Sequence, residues 1–97
     1  MKGIFIAFNQ AYHEEIAELL LDNQVRGFTQ WDDIKGRGSE TGDPHLGSHA
    51  WPTMNNALLS FVENDKVDSI MEQLRQKDLE TPDLGLRAFC WTIDNCI

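Results

Sequence analysis

Basic residues are scarce in this sequence of 97 residues, which has 8 Lys and Arg against 16 Asp and Glu and a formal net charge of −8. Proteins that bind a nucleic-acid backbone need clustered Lys and Arg, so we expect no nucleic-acid partner. The same charge disfavours binding to an anionic membrane surface. Long apolar runs are also missing, and none approaches the roughly 20 residues of a membrane-spanning helix. We therefore expect no direct insertion into a membrane.

The chain has only two cysteines, Cys90 and Cys96. Both fall on or just after one predicted strand, where the geometry of a disulfide between them is unfavourable. Free cysteine is most often a small buried hydrophobe, and we expect this of Cys90.

The first eight residues lack the long apolar region and the small-residue cleavage site of a signal peptide. We expect a cytoplasmic protein and, at this length, a single domain spanning residues 1–97.

Short apolar runs rich in aromatic and β-branched residues predict four strands. They are Lys2–Phe8, Arg26–Ile34, Ala57–Val62 and Leu86–Ile93. The adjacent carboxylates Asp32 and Asp33 in the second run indicate an exposed edge or rim of the sheet. Because neighbouring residues on a strand point to opposite faces, these two side chains do not form one acid–base pair.

Helical spacing of apolar residues predicts two helices between these strands. The first follows Asn9, a candidate N-cap, and ends near Asn23. For the second helix, the candidate N-cap is Asn64 or Asp65. Its apolar positions, spaced i, i+3, i+4 and i+7, are Val67, Ile70, Met71 and Leu74. We expect Leu79 to close the core behind this second helix.

The order strand, helix, strand, strand, helix, strand predicts an α+β protein with the ferredoxin-like βαββαβ plan. Right-handed crossovers place both helices on one face of a four-stranded sheet. The strands are apolar at odd and even positions alike, whereas a face open to water would show a polar stripe. We therefore expect the second face to be buried against other copies of the chain, in a homo-oligomer.

A long loop between strands 2 and 3, from Lys35 to Asn56, interrupts this regular pattern. It holds four of the seven glycines, two of the three prolines and two of the three histidines. Loops longer than about 12–15 residues are usually functional or disordered. The loop also carries Trp51, and this residue and Trp31 either pack back onto the scaffold or are presented to a partner, with packing at the subunit junction favoured. Function is therefore expected in this loop.

The segment Lys35-Gly36-Arg37-Gly38-Ser39 at the start of the loop is a candidate anion site. Glycines let backbone amides approach a phosphate, and Lys35 and Arg37 supply positive charge. A second candidate is the PDLGLRAF segment before the last strand, which contains Gly85 and Arg87. Backbone amides and one cation would suffice for a phosphate site there.

The whole chain resembles the nitrogen-regulatory PII signalling superfamily, as a divergent PII-like member. The resemblance rests on the βαββαβ order, the opening MKGIFIAF strand, the KGRG segment, the long loop and the position of PDLGLRAF. It implies a trimer that binds adenine nucleotides between neighbouring subunits. It also implies that the loop, called the T-loop in that family, signals through residues 38–53 to a regulated protein partner. No Tyr lies in this loop, so uridylylation there is not expected.

Three potential metal ligands in the loop, Asp43, His45 and His49, give a second hypothesis. One helical turn would bring the two histidines together, so a divalent transition metal is the alternative ligand. A trimeric family of the same fold that is associated with divalent-cation tolerance is a second resemblance.

A third hypothesis is an interaction module in which the loop and Trp51 dock a protein without a small ligand. No nucleophile with an oriented base stands out, so we do not expect an enzyme.

Overall fold

A computed structural model describes residues 1–38 and 40–97 of the chain. Within these ranges the chain forms four strands, two α-helices and one turn of 3₁₀ helix over Gln10–Tyr12. The strands are β1 (Lys2–Asn9), β2 (Thr29–Ile34), β3 (Asn55–Val62) and β4 (Arg87–Thr92). The helices are α1 (His13–Asp22) and α2 (Asn64–Glu80). Neither of these helices combines the length and the apolar character that crossing a membrane requires.

The four strands form one antiparallel sheet in the order β2-β3-β1-β4. Each helix connects two strands that have another strand between them, which is the split βαβ arrangement. The predicted ferredoxin-like fold is therefore confirmed. The order also places β2 at an edge of the sheet, as Asp32 and Asp33 indicated, and both carboxylates are exposed.

The core lies between the helices and one face of the sheet. Its fully buried apolar side chains are Ile4, Ile6, Phe8, Ile16, Leu20, Leu58, Ile70, Leu74 and Leu84. Alternate residues of β1 and β3 share this face because the side-chain period of a strand is two. On α2 the predicted positions Val67, Ile70 and Leu74 are buried, and Met71 packs against the cluster.

Three local expectations were wrong. Leu79 is 74% exposed, because five residues beyond Leu74 it lies about 140° around the helix from the buried stripe. The N-cap of α2 is Glu63, one residue before the predicted Asn64, and it makes no side-chain capping bond. Cys90 is exposed as well, because β4 is an edge strand and has a neighbouring strand on one side only.

The second face of the sheet, which the helices do not cover, is rich in aromatic side chains. We call it the open face, and it carries Phe5, Trp31, Leu59, Phe61, Phe89 and Trp91. Between 43% and 51% of the surface of Trp31, Phe61, Phe89 and Trp91 is exposed. The ring of Trp91 lies so close over Gly3 that a Cβ there would be 2.7 Å from a ring carbon. The strands therefore lack the polar stripe of a face that meets water, as the sequence indicated.

Candidate functional site

A cleft of about 660 Å³ lies between the long loop and the turn that joins α2 to β4. The residues that line it are Asn9, Gly38, Gly42, Asp43, Pro44, His45, Ala50, Trp51, Pro52, Thr53, Asp78, Pro82, Asp83, Gly85, Leu86 and Arg87. They come from the end of β1, both halves of the loop, the last turns of α2 and the start of β4. Its volume falls in the range of small-molecule sites.

The wall formed by the α2–β4 turn is held by the end of β1. The backbone amide of Asn9 donates to the Leu84 carbonyl at 2.8 Å, and its side-chain Nδ2 donates to the Asp83 carbonyl at 3.0 Å. The Tyr12 hydroxyl donates to the Asp83 carboxylate at 2.5 Å. This hydrogen bond, followed by burial and the charge of the carboxylate, raises the pKa of Tyr12. The turn is thus fixed to the sheet before any ligand binds.

We expect Asn9→Ala to destabilise the protein by about 1–3 kcal/mol. The substitution removes the bond to the Asp83 carbonyl and also the bond in which Asn9 Oδ1 accepts from the Ala11 amide at 3.0 Å. Equilibrium urea unfolding measures the change, with Asn95→Ala at an exposed position as the matched control. Equal stability of the two variants would show that Asn9 does not hold the turn.

The opposite wall begins with a short bridge across the loop. Gly36 and His45 exchange two backbone hydrogen bonds, of 2.8 and 2.7 Å. The His45 Nδ1–H donates to Asn55 Oδ1 at 2.6 Å, at the start of β3. The same ring packs against Gly85, where a Cβ would lie 2.7 Å from His45 Cε1. His45 therefore joins the loop, β3 and the α2–β4 turn.

The second half of the loop, residues 47–53, is a turn closed by its own hydrogen bonds, and we call it the Trp51 turn. The Gly47 amide donates to the Thr53 carbonyl at 3.1 Å and the Ser48 amide to the Trp51 carbonyl at 2.9 Å. The Trp51 amide donates to Ser48 Oγ at 3.1 Å. Gly47 has φ +61, in the left-handed region, and Met54 packs directly against it. These bonds fix the backbone that carries Trp51.

Three of the predicted ligand residues meet in the cleft: Gly38, Gly85 and Arg87. A Cβ on Gly38 would lie 3.1 Å from Arg87 Cγ and 3.3 Å from the Gly85 carbonyl oxygen, so a side chain there would require these neighbours to shift by a few tenths of an ångström. The Arg87 guanidinium lies over the Phe89 ring, 5.3 Å from its centre, and makes no salt bridge to any residue the structure describes. This cation is therefore available to a ligand.

Lys35, Gly36 and Arg37, which were also predicted to bind the anion, do not line the cleft. Lys35 and Arg37 are exposed, and Arg37 donates to the Glu40 carbonyl at 2.9 Å. Gly36 is engaged in the bridge to His45. Ser39 lies outside the described residues.

Comparisons with known proteins relate this chain to solved structures by its fold. No protein-family model matches the sequence, and a search of curated proteins found no match. A PII-like protein from Thiomonas intermedia, solved with ADP, AMP and bicarbonate, superposes with a TM-score of 0.71 at 18% identity, over 97% of this chain and 88% of that one. A protein from Thermus thermophilus assigned to the PII-like signalling proteins gives 0.68 at 17% identity, over 95% and 85%. This chain has the PII-like fold.

The apo form of the Thiomonas protein is also similar, with a TM-score of 0.68 at 16% identity, over 95% of this chain and 89% of that one. The cleft joins two of the segments on which the sequence resemblance rested. The KGRG segment contributes Gly38, and the segment before β4 contributes Gly85 and Arg87.

The metal hypothesis receives no support from this geometry. Asp43 and His45 both line the cleft, but His49 does not. The two histidines do not share a helical face, because the chain around Gly47 is not helical. In residues 1–38 and 40–97, no group of three or more His, Cys, Asp or Glu side chains is placed to hold a metal ion.

The cleft also contains residues that the sequence did not single out as ligands. Asp78 and Asp83 add two carboxylates beside Asp43, so the cleft has more acidic than basic side chains. Asn9 was predicted only as an N-cap, a role it fills for the 3₁₀ turn. The turn composition around Pro82 and Asp83 marked a bend in the chain, but no local pattern showed that this bend faces the long loop.

Proposed function

We propose that this protein is a PII-like regulatory protein that binds an adenine nucleotide in the cleft. The observation that carries the proposal is the meeting of Gly38, Gly85 and Arg87 in one cleft of about 660 Å³. Structures of the same fold from Thiomonas intermedia contain ADP, AMP and bicarbonate, or ADP and bicarbonate. The nucleotide phosphate would contact Arg87, whose guanidinium gives charge-assisted hydrogen bonds. The glycines would let the phosphate approach the backbone.

The charge balance of the cleft sets the expected order of affinity among adenine nucleotides. Asp43, Asp78 and Asp83 line it together with Arg87. Each added phosphate brings further negative charge toward these carboxylates, and like charges close together repel. We therefore expect the affinity of the isolated subunit's cleft to fall from AMP to ADP to ATP. Lys35 and Arg37, which are exposed, would raise the affinity for polyphosphates if a neighbouring subunit brought them to the cleft.

The open face supports the proposal of a homo-oligomer, and the resemblance suggests a trimer. Arg87 pairs with Ala7 in the register of the open face, on the same side of the sheet as Phe89 and Trp91. A second copy of the chain packed on the open face would therefore lie next to Arg87 and would close the cleft from that side. In this proposal nucleotide binding and assembly reinforce each other.

The signal would pass through loop residues 38–53 to a protein partner in the cytoplasm, in nitrogen regulation as the resemblance implies. The loop and the α2–β4 turn form the two walls of the cleft, so a ligand that bridges them would order the loop. A ligand shifts such an equilibrium only if it binds the two loop conformations with different affinities. The proposed role is binding and signalling without catalysis.

Calorimetric titration of the purified protein with AMP and with ADP tests the nucleotide site. We expect Arg87→Ala to weaken binding by about 10- to 150-fold, since a hydrogen bond to a charged group contributes about 1.5–3 kcal/mol. The matched control is Arg75→Ala, which removes an exposed arginine of α2 that pairs with Glu72 instead. Equal affinity of the wild type and both variants would show that the phosphate does not bind at Arg87.

A further inference from the structure

Trp51 lines the cleft and keeps 40% of its surface exposed. We propose that its indole ring is the platform on which the nucleotide base stacks. This inference rests on the proposed function and adds to it the residue that recognises the flat part of the ligand. An indole ring offers a large flat surface, and aromatic rings attract a second planar ring in an offset-stacked or edge-to-face arrangement. A planar ring in the cleft would cover it.

The Trp51 turn holds the residue in place before a ligand arrives. The two hydrogen bonds between Ser48 and Trp51 and the bond from Gly47 to Thr53 close the backbone on both sides of the ring. Pro52 follows directly, and its ring restricts the conformation of Trp51. The Met54 side chain packs against Gly47, at the start of the turn. A side chain carried on a fixed backbone loses less entropy on binding than one on a mobile loop, and this favours a stacking platform.

The cleft combines the two chemistries that a nucleotide offers. Trp51, Pro52 and Leu86 supply apolar surface, and Arg87 supplies the cation. A base is planar and uncharged at neutral pH, so it can lie beside carboxylates that would repel a second phosphate. Stacking on an aromatic ring contributes to the binding of any base, because every base has a π-face. Trp51 therefore determines affinity for the base and Arg87 for the phosphate.

The test compares AMP with ribose 5-phosphate, which has the sugar and the phosphate but no base. We expect Trp51→Ala to weaken AMP binding by roughly 5- to 150-fold, the range of base–aromatic stacking. We expect Trp51→Phe to restore most of the affinity, and neither variant to change the affinity for ribose 5-phosphate. The matched control is Leu46→Ala, an apolar loop residue that is 37% exposed and does not line the cleft.

Tryptophan fluorescence gives a second readout on the same proteins. AMP should quench part of the emission of the wild type, and this part should be absent in Trp51→Phe although calorimetry still detects binding. Unchanged AMP affinity in Trp51→Ala would overturn the stacking platform and leave the nucleotide site intact. Dissociation of the oligomer in Trp51→Ala, with unchanged AMP affinity per subunit, would overturn it in favour of a subunit contact. A wild type that binds no nucleotide would overturn both this inference and the proposed function.

Discussion

The Phe61→Glu variant is expected to elute as a monomer in size-exclusion chromatography with light scattering, and the wild type is expected to elute as a homo-oligomer. Phe61 lies on the open face with 51% of its surface exposed, so a subunit tolerates a polar group there. In an oligomer built on this face, each copy would instead bury a carboxylate without a partner. Such a charge costs several kcal/mol, which corresponds to a dissociation constant raised by more than about 100-fold.

The matched control for this variant is Leu79→Glu. Leu79 is more exposed than Phe61, at 74%, but it lies on α2 and not on the open face. The Leu79→Glu substitution should leave the oligomer intact, and circular dichroism should show native secondary structure in both variants. If the wild type is itself a monomer at micromolar concentration, or if both variants assemble like it, the open face is not the subunit interface.

The Gly85→Ala variant is expected to lose stability and to loosen the long loop. Gly85 has φ +59, and an L residue in that left-handed region costs about 1–2 kcal/mol. The added methyl group would also lie 2.7 Å from His45 Cε1. The ring would have to leave its place beside Asn55, so the link between the loop and the α2–β4 turn would break. We expect faster limited proteolysis within residues 38–53 and weaker nucleotide binding.

Gly27→Ala provides the control for this prediction. A Cβ on Gly27 would meet no atom within 4 Å, and the φ angle of Gly27 does not lie in the left-handed region. The control should match the wild type in urea unfolding and in proteolysis, so any difference of Gly85→Ala reflects its contact with His45 and its backbone conformation. Wild-type proteolysis rates in Gly85→Ala would mean that His45 does not couple the two walls of the cleft.

The fold could be predicted from the sequence because buried faces repeat with the periods of strands and helices. The aromatic residues at odd and even strand positions also predicted an apolar open face. Leu79 and Cys90 were expected to be buried, and both are exposed. Their burial depends on how far each helix and the sheet extend over them, and this is a property of the packed structure.

The site could be predicted only in part, because its residues are distant in sequence. Gly38 and Arg87 meet because the loop and the α2–β4 turn fold toward each other, which no local pattern in the sequence shows. The spacing of His45 and His49 suggested a shared face, but the left-handed Gly47 between them prevents a helical turn. The fixed position of Trp51 depends on hydrogen bonds within residues 47–53, which composition alone does not reveal.

A crystal structure of the protein with ADP tests the central claim most directly. We predict that the nucleotide lies in the cleft, with its phosphates within hydrogen-bond distance of the Arg87 guanidinium and close to Gly38 and Gly85. We also predict that a neighbouring subunit, packed on the open face, borders the same cleft. A nucleotide bound at another surface, or an empty cleft at saturating ADP, would contradict the assignment of this cleft as the nucleotide site.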